Sequence, residues 1–374
     1  MSQYISAFSR ANEPQQVAQE LCHKLEPSSP SAVLVFSPHR LDGRSVCEKI
    51  HRHFDQIPVI GCTTAGAFTQ SEYADDVTVA MALPRARIPR VARVLARFGD
   101  NVEDAVMQAC NELATQFDKP LRELDPKRHV GILLVDAMTY NEERVNAALG
   151  NAAPLLSFVG GSAGDGGEFR CTRVFVDGQE SDAGVALMLM EVDVPFTVVK
   201  TASFEPTEHE LTITRADDKQ RTVFEINGEP AVDVYAKLVD KSKADLAFEV
   251  FKDWPLGLMI DGKPWVRSVV HPVPGGGLRL ACSVREGMTV NLMRAVDLID
   301  DTKAAVGEAI ETLGATPCGI IGFNCFYRKI EIDAKDQKQP FLDAFRHHPT
   351  AGFHTYGESW LDHMNQTLTA LVLG

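Results

Sequence analysis

Two loops in this chain set hydroxyl side chains among glycines at the end of an apolar run. They read GCTTAG (Gly61–Gly66) and GGSAGD (Gly160–Asp165), and they carry Thr63, Thr64 and Ser162. Glycine lets a backbone approach a ligand closely, and consecutive amides can form a nest that holds an anion. Gly61, Thr63, Thr64, Gly161 and Ser162 are therefore candidate ligand-contact residues. The plainer alternative is that the glycines only supply turn geometry. The second loop also spells G-x-S-x-G, the elbow that presents the serine nucleophile of many hydrolases. That elbow needs a helix straight after the serine. Here Asp165-Gly166-Gly167-Glu168 follows, which is poor helix material, and the first loop has Thr63 in the serine's place. No nucleophile, base and orienting group stand out together. The expectation is a protein that is not an enzyme, with a serine hydrolase using Ser162 as one alternative.

The elements that carry these loops repeat. AVLVFS (Ala32–Ser37) and GILLVD (Gly131–Asp136) precede them, with Val33 to Gly61 and Ile132 to Gly160 both 28 positions apart. DVTVAMAL (Asp76–Leu83) and AGVALMLM (Ala183–Met190) follow them. A looser third copy is TAGFHTYGE (Thr350–Glu358), between CGIIGFNC (Cys318–Cys325) and QTLTALVLG (Gln366–Gly374). A self-match at fixed spacing is a structural signal, and it predicts that the three loops converge. Apolar spacing predicts helices over Pro14–Leu25, Gly43–Phe54, Asn101–Phe117 and Asn141–Leu149, with strands at Ala32–Ser37 and Arg90–Arg97. The β–α–β–β order, used twice, predicts an α/β fold with mixed sheets. Further on, Asn227-Gly228 marks a turn and Pro230 a helix start. Pro255–Val284 breaks into short strands at Gly-containing turns, and Asp297–Leu313 reads as a long helix. The charged stretch Arg215–Arg221 suggests a division near residue 220 into two pseudo-related halves, residues 28–220 and 221–374.

The 374 residues are 45% hydrophobic, enough for two cores. A net charge of -14 argues against nucleic acid as a partner. The basic run Arg85–Arg97 alternates with apolar residues, as on a half-exposed strand. The N-terminal residues lack the pattern of a signal peptide, and the apolar runs are too short to span a bilayer. A cytoplasmic protein without membrane insertion is expected. Eight cysteines without a C-x-x-C pair indicate reduced, buried thiols rather than structural zinc.

Several segments together resemble the FIST family of bacterial sensory proteins. They are GCTTAG, FVGGSAGD (Phe158–Asp165), NGEPAVDVYAKL (Asn227–Leu238), PLGLMIDG (Pro255–Gly262), GGLRLACSVREGMTVNLMR (Gly276–Arg294), GFHTYGE and HMNQTLTALVLG. The resemblance implies a FIST N-type and a FIST C-type domain that bind a small molecule and regulate a separate signalling protein. The chain also looks like stand-alone haem-binding members that sense nitric oxide and act on a histidine kinase or a cyclic-di-GMP enzyme. Haem iron takes an axial His, Tyr, Cys or Met. Under that resemblance His354, beside Tyr356 in the third loop, is the first candidate ligand. His363 is next and His271 third. Arg279, with Arg267 and Arg294, is a candidate to fork onto a haem propionate or a ligand carboxylate. The alternatives are a sensor of an amino-acid-like metabolite without haem, and an adaptor working through its acidic surface.

Overall fold

The computed structural model describes residues 3–374. One compact unit holds the chain up to Lys200 together with Thr302–His363 and Leu368–Gly374; the other holds Thr201–Asp301 and Met364–Thr367. The spatial division thus differs from the linear one expected near residue 220. The third loop copy folds with the first two, and residues 201–301 interrupt it.

In the first unit, repeat one runs β1 (Ile5–Ser9), α1 (Pro14–Leu25), β2 (Pro30–Pro38), α2 (Gly43–His53) and β3 (Val59–Thr64). A hairpin of β4 (Ala67–Thr69) and β5 (Tyr73–Ala74) follows, then β6 (Thr78–Pro84). Repeat two has the same order: β7 (Arg90–Arg97), α3 (Val102–Gln116), β8 (His129–Val135), α4 (Glu142–Ala152) and β9 (Ser157–Ser162). Its hairpin is β10 (Val174–Val176) and β11 (Gln179–Ser181), and β12 (Gly184–Glu191) closes it. Repeat three opens with β13 (Phe196–Ala202).

The interrupting unit contains β14 (Phe204–Asp217), β15 (Thr222–Ile226), β16 (Glu229–Pro230), α5 (Ala231–Leu238) and α6 (Phe248–Asp253). It continues with β17 (Leu256–Ile260), β18 (Lys263–Arg267), β19 (Val269–Val273), β20 (Gly277–Leu280) and β21 (Thr289–Ala295). The strands form one antiparallel sheet, β18-β17-β21-β14-β15-β20-β19, with β16 on β15. Tyr235 of α5 is fully buried in its core and donates to the Trp254 carbonyl at 2.7 Å. The charged stretch that read as a boundary is the end of β14 and its turn into β15.

Repeat three resumes with α7 (Leu298–Leu313), β22 (Gly319–Cys325), α8 (Phe326–Ala334), α9 (Lys338–Leu342) and β23 (Thr350–Thr355). Its hairpin is β24 (Glu358–Trp360) and β25 (Asp362–Met364), and it ends on β26 (Thr367–Leu373). The local signals account for these bounds. Pro14 opens α1 with its fixed φ, and the Asn101 side chain accepts the Glu103 and Asp104 amides at the start of α3.

The first unit has three sheets of equivalent order: β1-β6-β2-β3-β10-β11, β7-β12-β8-β9-β24-β25 and β13-β26-β22-β23-β4-β5. Each is built on one parallel pair, β2/β3, β8/β9 or β22/β23, inside otherwise antiparallel neighbours. The mixed α/β class is as expected. The hairpins exchange: β4–β5 of repeat one joins the sheet of repeat three, β10–β11 of repeat two joins repeat one, and β24–β25 of repeat three joins repeat two. The exchange is cyclic, so backbone hydrogen bonds interlock all three repeats.

Strand alternation sorts the core. Leu34, Phe36, Ile132, Leu134, Ile321 and Phe323 face one shared interior, where the Phe36 and Phe353 rings lie 4.7 Å apart. Val33 and Val35 point the other way, onto Leu21 of α1 and Ile50 of α2. Leu133 and Val135 likewise meet Val106 of α3 and Val145 of α4.

Candidate functional site

The three loops converge, as the repeat predicted, and they bind one another. Gly164 donates to the Thr63 carbonyl (2.9 Å), Ala65 to that of His354 (3.2 Å), and His354 to that of Gly66 (2.8 Å). Ser162 donates to the Gly357 carbonyl (2.8 Å), and Tyr356 to that of Ser162 (3.2 Å). The threonine hydroxyls also have partners within the protein. Thr63 Oγ1 accepts the Arg173 amide at 3.0 Å, and Thr64 Oγ1 accepts that of Gly66 at 3.3 Å. Amides that would have formed an anion nest are therefore consumed within the protein, several of them in joining loop to loop.

The repeated glycines have a separate cause. A Cβ on Gly61 would lie 2.2 Å from the Val35 carbonyl oxygen, on Gly160 1.7 Å from that of Leu133, and on Gly352 2.6 Å from that of Gly322. Each glycine is the register partner of that residue across the parallel pair. Gly161 is packed against the third loop, where a Cβ would lie 2.7 Å from Thr355 Cγ2. Close strand and loop approach requires these positions to be glycine.

Ser162 is the last residue of β9 and is fully buried. Its hydroxyl donates to Glu142 Oε1 at 3.2 Å. No helix follows it, and the amide of Ala163, the oxyanion donor of an elbow, is spent on the Val135 carbonyl at 2.8 Å. A fluorophosphonate probe is expected to leave the folded chain unlabelled; labelling that disappears in Ser162→Ala would overturn this.

His354 faces away from the shared interior, under α8 and α9, with no exposed surface. Its ring lies among Tyr73, Phe68 and Phe341, at 4.7, 5.4 and 6.5 Å between centroids. Its proton can be assigned from its neighbours. Arg328 carries only donors, and its Nε bonds Asn324 Oδ1 at 2.9 Å. Asn324 Nδ2 therefore faces His354 Nδ1, at 3.0 Å, and donates to it. Burial first, and then the cations Lys329, Lys338 and Arg328, hold the His354 pKa well below the usual histidine range. The ring is neutral with its proton on Nε2, and Nε2 has no hydrogen-bond partner among the described residues. Lys329 is itself paired to Asp333 (2.6 Å) and Asp75 (3.0 Å).

An iron ligand needs a free lone pair on the coordinating nitrogen. In His354 one lone pair accepts from Asn324 and the other nitrogen is protonated. His354, first choice from the sequence, does not fit a haem ligand. Nothing in the sequence flagged this network, since Asn324 and Arg328 read as a strand end and a helix face.

Tyr356 serves a latch. Its hydroxyl donates to Asp165 and accepts the Gly167 amide at 2.7 Å, and its ring stacks on Phe169 with centroids 4.2 Å apart. Asp165 also accepts the amides of Phe169, Arg170 and Cys171 at 2.7–2.9 Å. Burial raises the Asp165 pKa, but Tyr356 and these amides outweigh it and leave it below the usual carboxylate value.

His363 lies on β25, 1% exposed, with a ring nitrogen within 4.8 Å of a Glu143 carboxylate oxygen from α4. In the second unit, Arg279 is half-buried on β20 opposite Thr222, and Arg267 is buried on β18. Arg294 is ion-paired with Glu205 at the surface, and His271 is exposed.

Residues 31–229 match the FIST N domain and residues 231–360 match the FIST C domain. The chain belongs to the FIST family, whose domains are signal-transduction sensor domains that bind small ligands. No curated protein matches it. Among solved structures it is compared with PurLQS from Thermotoga maritima at 12% identity and a TM-score of 0.22, over 100% of this chain and 73% of that one; a likeness this low carries no argument. No helix among the described residues is long and apolar enough to cross a membrane.

Proposed function

We propose that this chain is a haem-based sensor, responsive to nitric oxide, that regulates a separate histidine kinase or cyclic-di-GMP enzyme and is not itself an enzyme. The observation that carries the reading is His363. It is a buried imidazole with a carboxylate close by, the kind of neighbour that orients a metal-bound histidine and raises its basicity. His363, the second candidate from the sequence, takes the place that the sequence assigned to His354. Haem, when bound, would supply the gas-binding iron; the chain's own part is to hold and orient the imidazole and to shield it from water. The locked loops supply a rigid frame for that task.

Reconstitution with haem tests this directly. The expected result is a Soret band that survives in His354→Gln and is lost in His363→Ala. A band lost only in the His354 variant would restore the other ligand. The absence of any band would replace haem with an amino-acid-like metabolite.

A further inference from the structure

A cleft opens in the first unit at the carboxyl end of β2, the side of a parallel pair where α/β proteins bind ligands. Its volume is about 280 Å3, and its lining combines His39, Arg40, Arg44 and Arg173 with the carboxylates Asp42 and Glu180 and with Leu41, Gly43 and Phe175. Three arginines gather here on a chain whose net charge is -14.

Two of them are partly neutralised. Arg40 pairs with Glu168 at 3.2 Å, which His39 also approaches at 3.3 Å, and Arg44 lies 3.7 Å from Asp42. Arg173 differs. Its backbone is pinned on both sides, donating to Thr63 Oγ1 (3.0 Å) and accepting the Thr63 amide (2.9 Å). Its half-buried guanidinium has no ion pair or hydrogen bond among the described residues. A fixed backbone that presents an unneutralised guanidinium into a cleft is prepared for an anion, and a planar fork suits phosphate oxygens. The start of α2 at Gly43 is already capped by Asp42, which accepts the Ser45 amide at 3.0 Å, so the arginines carry the attraction. The cleft is larger than a bare phosphate, and its remainder is polar, with Glu180 offering an acceptor for hydroxyl groups, while Leu41 and Phe175 are buried.

We propose that this cleft binds a small phosphorylated polyol, with the phosphate held by Arg173 and Arg44 and the hydroxyls of the organic part set against the polar remainder of the lining, Glu180 included. The site is separate from the haem reading, since it involves neither His363 nor iron, and haem-free protein tests it. Calorimetric titration of the full chain with glycerol 3-phosphate, inorganic phosphate and glycerol is the experiment. Glycerol 3-phosphate is expected to bind at one site, more tightly than inorganic phosphate, and glycerol not at all. Arg173→Ala should weaken binding about 10-fold or more, the usual loss of a charge-assisted hydrogen bond, with an unchanged melting curve. Arg294→Ala, paired with Glu205 in the other unit, should bind as the parent does. If Arg173→Ala misfolds, Arg44→Ala reads the same loss. No saturable binding, or unchanged affinity in the cleft variants, overturns the proposal. Equal binding of inorganic phosphate reduces the cleft to an adventitious ion only and overturns it as well.

Discussion

Gly160→Ala is expected to destabilise the chain by more than about 3 kcal/mol, seen as a large fall in melting temperature or as loss of soluble protein. The new Cβ would lie 1.7 Å from the Leu133 carbonyl oxygen and 2.7 Å from its carbon. Neither atom can rotate away, because Leu133 and Gly160 are partners in the parallel pair at the centre of their sheet. Relief requires prising β8 from β9, and β9 also holds the hairpin exchanged from repeat three. Gly61→Ala, at the equivalent place in repeat one with a 2.2 Å approach, should behave alike. Gly150→Ala is the control. It is exposed on α4 with nothing within 4 Å of its added Cβ, and helix propensity predicts a gain of up to about 1 kcal/mol. Differential scanning calorimetry of the three variants decides the matter. A Gly160→Ala melting curve like that of Gly150→Ala would mean that the strand pair yields and that the repeated glycines have another cause.

The second large effect is acid sensitivity through His354. In the folded chain its ring is neutral, held so by burial and by Lys329, Lys338 and Arg328, while an unfolded histidine protonates near pH 6.5. Below that pH the unfolded chain binds a proton that the folded chain refuses. Stability contributed by this group is therefore complete above pH 6.5 and falls as pH drops toward the depressed folded pKa, by up to about 1.4 kcal/mol for each pH unit. Asp75 and Asp333 also face this region but pair with Lys329. Melting curves between pH 5 and 8 should be steeper in pH for the parent than for His354→Gln, which keeps an acceptor for Asn324 but has no titrating group. Equal slopes would place the acid sensitivity at other histidines.

Much of the fold was legible because its signals are local. The bounds of α1 follow from Pro14 and the spacing of Val17, Leu21 and Leu25, all of which are buried. Arg90–Arg97 alternates in sequence and is β7, with Ala92, Val94 and Ala96 buried. The Asn227-Gly228 turn has both residues at positive φ, as the residue pair demands. The candidate site was less legible. The glycine loops and their convergence were visible, but their chemistry was read as ligand contact. In the structure their amides and hydroxyls bond to one another and to Arg173, Glu142 and Val135.

The sequence by itself determined the α/β class, the helices and strands of each repeat, and the presence of three related loops, because period, caps and turn residues act over a few positions. Only the tertiary structure decided which sheet each hairpin joins, since pairing Gly161 with Glu358 or Phe353 with Ala67 depends on strands that are distant in the chain. It also decided that residues 201–301 interrupt the third repeat rather than begin a second half. Finally, it decided the state of His354. A histidine's tautomer depends on what faces each nitrogen, and Asn324 and Arg328 reach it only once β22, β23 and α8 have packed.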